Sequence, residues 1–199
     1  MFVVVEGIEG SGKSTLLQGL VERLRMDGRD VVVTREPGGT ATGNAIRTIF
    51  LDRTLNIDAL TEALLVNAAR AQHVAEVIRP ALDAGRLVLC DRFTASTLAY
   101  QGYGRGFDLE ALQLLCDEAT GELQPDLVFL LDLPVDVAHQ RMAQRSYQLD
   151  RIESEDAAFH ERVRQGYLVL AKSPRFRKLD ATLPAQTLLD EAWTFISTL

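Results

Sequence analysis

The chain has 199 residues, 47% hydrophobic and 25% charged, with a formal net charge of −7 at pH 7. That length suits one α/β domain spanning residues 1–199 and leaves little room for a second. The acidic balance argues against an extended nucleic-acid surface, which needs clustered Lys and Arg, but allows a small phosphate ligand held by a few arginines.

Phe2-Val3-Val4-Val5 is an apolar run expected to form a buried strand that leads into a Gly-rich turn. This opening lacks a basic leader and is too short for a signal peptide or membrane span, so a cytoplasmic protein without a membrane partner is expected. Lys13 to Met26 carries Leu16, Leu17, Leu20, Val21 and Leu24 at helical spacing, stopped by Asp27-Gly28. Val31-Val32-Val33 reads as a second strand, Glu36-Pro37-Gly38-Gly39 as a loop and Ala45 to Leu51 as a short helix. Leu60 to Ile78 is an Ala-rich helix expected to stop before Pro80. Leu87-Val88-Leu89-Cys90 is a third strand ending at Asp91-Arg92, with Cys90 a buried thiol. Neither Cys90 nor Cys116 has a CxxC partner or metal-ligand spacing. Leu109 to Ala119 is helical, Leu127 to Leu131 is a fourth strand, and Val135 to Arg145 and Ala157 to Ala171 are helices around a polar segment. Phe176 to Leu179 is a weak last strand and Ala185 to Ile196 the last helix. Strands alternating with helices predict a three-layer, doubly wound, parallel five-stranded α/β sheet with its site at the carboxyl ends of the strands.

Gly7-Ile8-Glu9-Gly10-Ser11-Gly12-Lys13-Ser14 fits G-x-x-x-x-G-K-[ST], and Thr15 follows. The glycines let backbone N–H groups turn inward on phosphate oxygens, and the helix opening at Lys13 points its positive end at them. Lys13 can reach the β- and γ-phosphates of ATP, and the Ser14 hydroxyl can ligate Mg²⁺. The strand before and the helix after are the context this P-loop motif requires. A GTPase would show an N/TKxD motif after a later strand, and the sequence has none. Arginines at strand ends in so short a chain point to a nucleotide kinase.

The sequence resembles the thymidylate kinase family, mainly its bacterial branch, over nearly the whole chain. The resemblance rests on the P-loop through Thr15, Thr34-Arg35-Glu36-Pro37-Gly38-Gly39-Thr40, Ala68-Ala69-Arg70-Ala71-Gln72, Asp91-Arg92-Phe93, Ala99-Tyr100-Gln101-Gly102 with Gly104-Arg105-Gly106, and Leu149-Asp150-Arg151-Ile152-Glu153. It implies a P-loop kinase fold, ATP as donor with Mg²⁺, dTMP as acceptor and a homodimer. It implies further that Arg35 and Arg92 hold the acceptor phosphate and that Asp91 holds Mg²⁺ through water. Glu9 would lie near the acceptor 3′-hydroxyl, Arg70 would read a thymine carbonyl, and Thr97 would meet the base N3 edge beside Ser96. Tyr100 would exclude a ribose 2′-hydroxyl, with Gln101 next to it. Pro37 fixes the loop and is a candidate for a cis bond. One position departs: Val66 stands where the family has a Phe that stacks on the base.

Arg141, Arg145 and Arg151 flank a polar segment with the composition of a lid, over about residues 142–153. Phosphoryl transfer needs positive charge on the migrating group. The variable P-loop positions Ile8, Glu9, Gly10 and Ser11 hold no Arg, so Arg145 and Arg151 are the candidates, with Arg141 placed near the adenine. Two alternatives stay open at this stage: a kinase for another deoxynucleoside monophosphate such as dUMP or a modified pyrimidine nucleotide, and a P-loop module that binds nucleotide without transfer.

Overall fold

A computed structural model describes residues 1–144 and 149–197. In chain order it contains β1 (Phe2–Glu6), α1 (Lys13–Met26), β2 (Val31–Arg35), α2 (Ala41–Leu51) and α3 (Ala59–His73). A π-helical turn, Val74–Ile78, follows and runs into α4 (Arg79–Asp83). Then come β3 (Leu87–Asp91), α5 (Thr94–Thr97) with a π-helical extension Leu98–Gly104, α6 (Leu109–Thr120), β4 (Leu127–Asp132), α7 (Val135–Ala143), α8 (Ala157–Leu170), β5 (Phe176–Asp180) and α9 (Ala185–Ile196). The five strands form one parallel sheet in the order β2-β3-β1-β4-β5.

β1 is buried along its whole length and β4 along all but its last residue, which is why both read as unbroken apolar runs. One core face joins Val3, Val5, Leu89 and Phe129 to Leu16, Leu20 and Leu24 of α1 and Ile196 of α9. The other joins Phe2, Val4, Val88 and Cys90 to Val74 and Ile78. The register sets Val5 beside Asp91 and Asp91 beside Arg35, so three strands deliver their carboxyl ends to one place.

Three helical stretches differ from expectation. The helix read as ending before Pro80 continues past it, through a π-helical turn into α4, whose second residue is Pro80. The π turn just before shifts the backbone so that the ring is accommodated. α2 begins four residues earlier than its apolar spacing suggests, capped by Thr40, whose Oγ1 accepts from Gly43 N at 2.9 Å. Residues 94–104 are helical, although TASTLAYQGYG has no helical periodicity, because most of that stretch is buried and has no solvent face to alternate with.

Candidate active site

The phosphate loop leaves β1 and enters α1 through Gly12, whose φ of 95° is a left-handed conformation that glycine adopts without strain. No side chain caps α1 and no acid stands in its first turn, so its N–H groups face an anion site. Ser11 Oγ is buried without a partner among the described residues. Lys13 Nζ donates to Gly7 O and Ile8 O, both at 2.9 Å. Burial, then the like charge of Arg92, lowers the Lys13 pKa from 10.5 to about 8, with Asp91 and Glu9 opposing. Ser14 and Thr15 line the same cavity.

β3 delivers Asp91 and Arg92. Asp91 Oδ1 is buried and unpartnered among the described residues, an orphaned acceptor in the cavity that Ser14 also lines. A hydroxyl and one carboxylate are hard oxygen donors that suit a Mg²⁺ keeping several waters and binding chiefly to phosphates. No cluster of three His, Cys, Asp or Glu side chains that could hold a metal exists among the described residues. The residues present therefore fit Mg²⁺.

Arg92 has a φ of 72°, rare for a residue with a Cβ and of order 1 kcal/mol in cost. The surroundings hold it there. Its N–H donates to Val5 O at 3.0 Å. Nη1 donates to Ser96 Oγ (3.2 Å) and Tyr167 OH (3.0 Å), and Nη2 to Glu9 Oε1 (2.6 Å) and Tyr100 OH (3.1 Å). Tyr100 OH also donates to the Glu9 carboxylate, 2.8 and 2.7 Å from its two oxygens. Burial by itself would raise the Glu9 carboxyl; Arg92 and Lys13 outweigh it and hold Glu9 ionised, below the usual range. Behind this layer, Glu6 is fully buried and accepts from Phe93 N (2.8 Å), Ser96 Oγ (2.6 Å) and Tyr167 OH (2.8 Å). Burial raises its pKa against those bonds.

The far end of the cavity is built on α3 and the loop after β2. The Glu36–Pro37 peptide is cis. Arg70 is 2% exposed and donates Nε to Glu36 Oε2 (2.7 Å), Nη1 to Asn67 Oδ1 (2.8 Å) and Cys116 Sγ (3.7 Å), and Nη2 to Phe93 O (3.1 Å). Of five guanidinium N–H groups, one on Nη2 is left for a ligand. Glu36 Oε1 also meets His73 Nδ1 at 3.0 Å, and His73 Nε2 meets Thr34 Oγ1 at 2.6 Å. Gly39 sits against this network: a Cβ there would lie 2.5 Å from the His73 ring, and its φ of 79° is left-handed. Val66, Thr97 and Gln101 line the cavity here, and Gln101 Nε2 is fixed on Glu62 Oε2 at 3.1 Å.

Between the two ends stands Arg47 on α2, which sequence reasoning missed. It lines the cavity, donates Nη1 to Pro37 O at 3.1 Å, and has its pKa lowered by burial and then by Arg35 and Arg92. Mutual repulsion among guanidinium groups marks a place built for an anion. Arg35 is exposed and opens on an adjoining groove between α1 and β2, so it contributes field more than cavity wall in this conformation.

Among the lid arginines, Arg141 is half-buried and donates to Ala181 O at 3.0 Å and Gly10 O at 3.4 Å, behind the phosphate loop. Arg145 lies outside the described residues. Arg151, a candidate for the transferring phosphoryl group, is engaged away from the cavity in this conformation. Its Nη1 bonds the fully buried Glu62, its Nε donates to Phe50 O at 3.0 Å, and it does not line the cavity. Glu62 holds it because Arg105 (2.9 Å) and Gln101 already orient that carboxylate, which burial would raise but Arg105 and Arg151 hold ionised. Glu6, Glu62 and His73 were also missed. Their one signal was polarity inside apolar or Ala-rich runs, which names no partner.

The family model described as thymidylate kinase matches residues 5–192. The thymidylate kinase of Desulfovibrio desulfuricans is 52% identical over 195 residues, covering 94% of this chain and 90% of that protein. That of Deinococcus radiodurans is 50% identical over 199 residues, covering 99% and 96%. A crystal structure of thymidylate kinase from Ehrlichia chaffeensis superposes with a TM-score of 0.79 at 32% identity, covering 98% of both chains. By its sequence, its sheet order and its phosphate loop, the chain belongs to the thymidylate kinase family.

Proposed function

We infer that the protein transfers the γ-phosphoryl group of ATP to dTMP, giving ADP and dTDP. One observation carries this reading: a single cavity joins Lys13 and Ser14 of the phosphate loop to Arg70, Thr97 and Gln101, with Arg47 and Arg92 between. A donor triphosphate and an acceptor base fit its two ends, and the cations between them suit the acceptor phosphate.

An oxygen of that phosphate attacks the γ-phosphorus as the bond to the bridging oxygen breaks. The attacking group is already anionic, so no strong base is needed. Lys13 exchanges its two carbonyl bonds for phosphate oxygens, and Ser11 Oγ supplies a further donor. Mg²⁺, when bound, neutralises phosphate charge, and Ser14 and Asp91 would hold it, Asp91 through water. Arg47 and Arg92, with Arg35 adding field, align the acceptor. The remaining Arg70 N–H suits a pyrimidine carbonyl, and the Tyr100–Glu9 pair occupies the sugar side, where it disfavours a 2′-hydroxyl. Arg145, in a lid over about residues 142–153 of one kinase unit, is assigned to the migrating phosphoryl group. Water exclusion by that lid limits hydrolysis.

The finer readings are a cytoplasmic location and a homodimer. Two buried free thiols suit a reducing compartment, and no helix among the described residues is long and apolar enough to cross a membrane. Leu60 (47%) and Leu64 (49%) on α3 and Ile49 (47%) on α2 are exposed, an apolar face for a second copy that sedimentation would read as doubled mass. A coupled assay across dTMP, dUMP, dCMP, dGMP and UMP tests the function. The highest specificity constant is expected for dTMP; a higher one for another acceptor overturns the reading, and Val66 is the feature that keeps dUMP in the panel.

A further inference from the structure

A nucleobase bound edge-on to Arg70 and Thr97 still needs an apolar surface for its flat face, because edge hydrogen bonds orient a base without covering it. At position 66 the side chain is Val66, 7% exposed and in the cavity wall, with no ring to stack. Among the described residues three aromatic rings line the cavity: Phe50, Phe93 and Tyr100. Phe93 is 1% exposed, edge-on to Phe2 at 4.9 Å, and carries the Arg70 guanidinium 5.4 Å over its ring. Tyr100 faces Arg92 at 5.0 Å and has its hydroxyl on Glu9. Both rings are committed. Phe50 lies on α2, which packs against the α3 helix that carries Val66, and the two side chains belong to one buried cluster. The Arg151 guanidinium covers one face of the Phe50 ring, 5.2 Å from its centroid, and Arg151 Nε holds the Phe50 carbonyl. Arg151 is itself fixed by Glu62. The ring is thus clamped from one side while still forming cavity wall.

We propose that Phe50 supplies the aromatic wall for the acceptor base that Val66 does not, with Arg151 as the positioning residue that holds the ring. On this proposal the stacking ring comes from α2 rather than α3. This rests on the reading that the Arg70 end holds the acceptor base. It also gives the lid segment a direct grip on the base pocket through Arg151.

The test is steady-state kinetics with both substrates on wild type, Phe50→Leu, Phe50→Leu with Val66→Phe, and Arg151→Met with and without Phe50→Leu. Phe50→Leu keeps apolar bulk, so its melting temperature separates folding from binding. It is expected to raise KM for dTMP about tenfold, with kcat and KM for ATP within about twofold of wild type. Adding Val66→Phe is expected to return most of that loss. Arg151→Met is expected to raise KM for dTMP only where Phe50 is present, the non-additivity of a residue acting through its neighbour. A dTMP KM unmoved by Phe50→Leu, or no recovery in the double variant, overturns the proposal. Wild type preferring another monophosphate overturns the dTMP reading instead, and the KM of that acceptor then reads Phe50 in the same way.

Discussion

Lys13 satisfies its ammonium on Gly7 O and Ile8 O, so a phosphate meeting Nζ would displace those partners. Burial and then Arg92 bring its pKa to about 8 from 10.5. The folded value lies below the unfolded one, so the unfolded chain binds more protons between those values and this group's contribution to stability rises with pH there. Activity moves the other way. Above about pH 8 free enzyme loses the charge that meets phosphate, whereas a bound triphosphate favours the ammonium. The expected profile is kcat/KM for ATP falling above about pH 8 while kcat falls at higher pH. A kcat/KM flat through that range would remove Lys13 from nucleotide capture. Lys13, Ser14, Asp91 and Arg92 were legible in the sequence because a motif or a strand end fixes each of them locally. Arg47 was not, because no motif marks it, nor were Glu62 and His73, because what gives them meaning is a partner far along the chain: Glu62 meets Arg105 and Arg151, and His73 meets Thr34.

Among elements, α3 (Ala59–His73) contributes several of the buried polar groups around the cavity. Glu62, Val66, Arg70 and His73 place a carboxylate node, a cavity wall, a buried guanidinium with one N–H left over and a loop anchor along its buried positions. The cost of that arrangement is a fully buried carboxylate whose removal leaves Arg151 without its carboxylate and Arg105 with Glu155 alone. Glu62→Ala is expected to destabilise the chain by about 3 kcal/mol, read as a lower urea midpoint with unchanged slope. A loss under about 0.5 kcal/mol, the size of an ordinary surface substitution, would show that Arg105 and Arg151 need no internal partner. α1 was legible residue for residue, since apolar periodicity and a Gly stop mark it. The helix of residues 94–104, which carries Ser96, Thr97, Tyr100 and Gln101, was invisible as a helix because it is buried nearly all round and its Leu98–Gly104 part is π-helical, off the usual period. Its site residues were found only through the resemblance. Composition marks a lid, but not which of its cations an internal carboxylate engages, as Glu62 engages Arg151.

At the scale of the molecule, a chain of net charge −7 gathers guanidinium groups into one cavity where strand ends meet. β1 has β3 on one side and β4 on the other, and the crevice outside that switch in strand order is where the phosphate loop opens. Alternation of strands and helices made the parallel sheet legible, but not the order that sets Val5, Asp91 and Arg35 side by side, which depends on long-range pairing. The central claim is that one cavity holds two nucleotides with their phosphates converging between Lys13 and Arg92. A crystal structure of the complex with dTMP, Mg²⁺ and an ATP analogue whose β,γ-bridge cannot be cleaved tests it most directly. The triphosphate should lie against the backbone of residues 7–14, with the dTMP phosphate between Arg47 and Arg92 and the thymine at Arg70. A triphosphate bound away from that loop, or dTMP bound outside the cavity, would contradict the account.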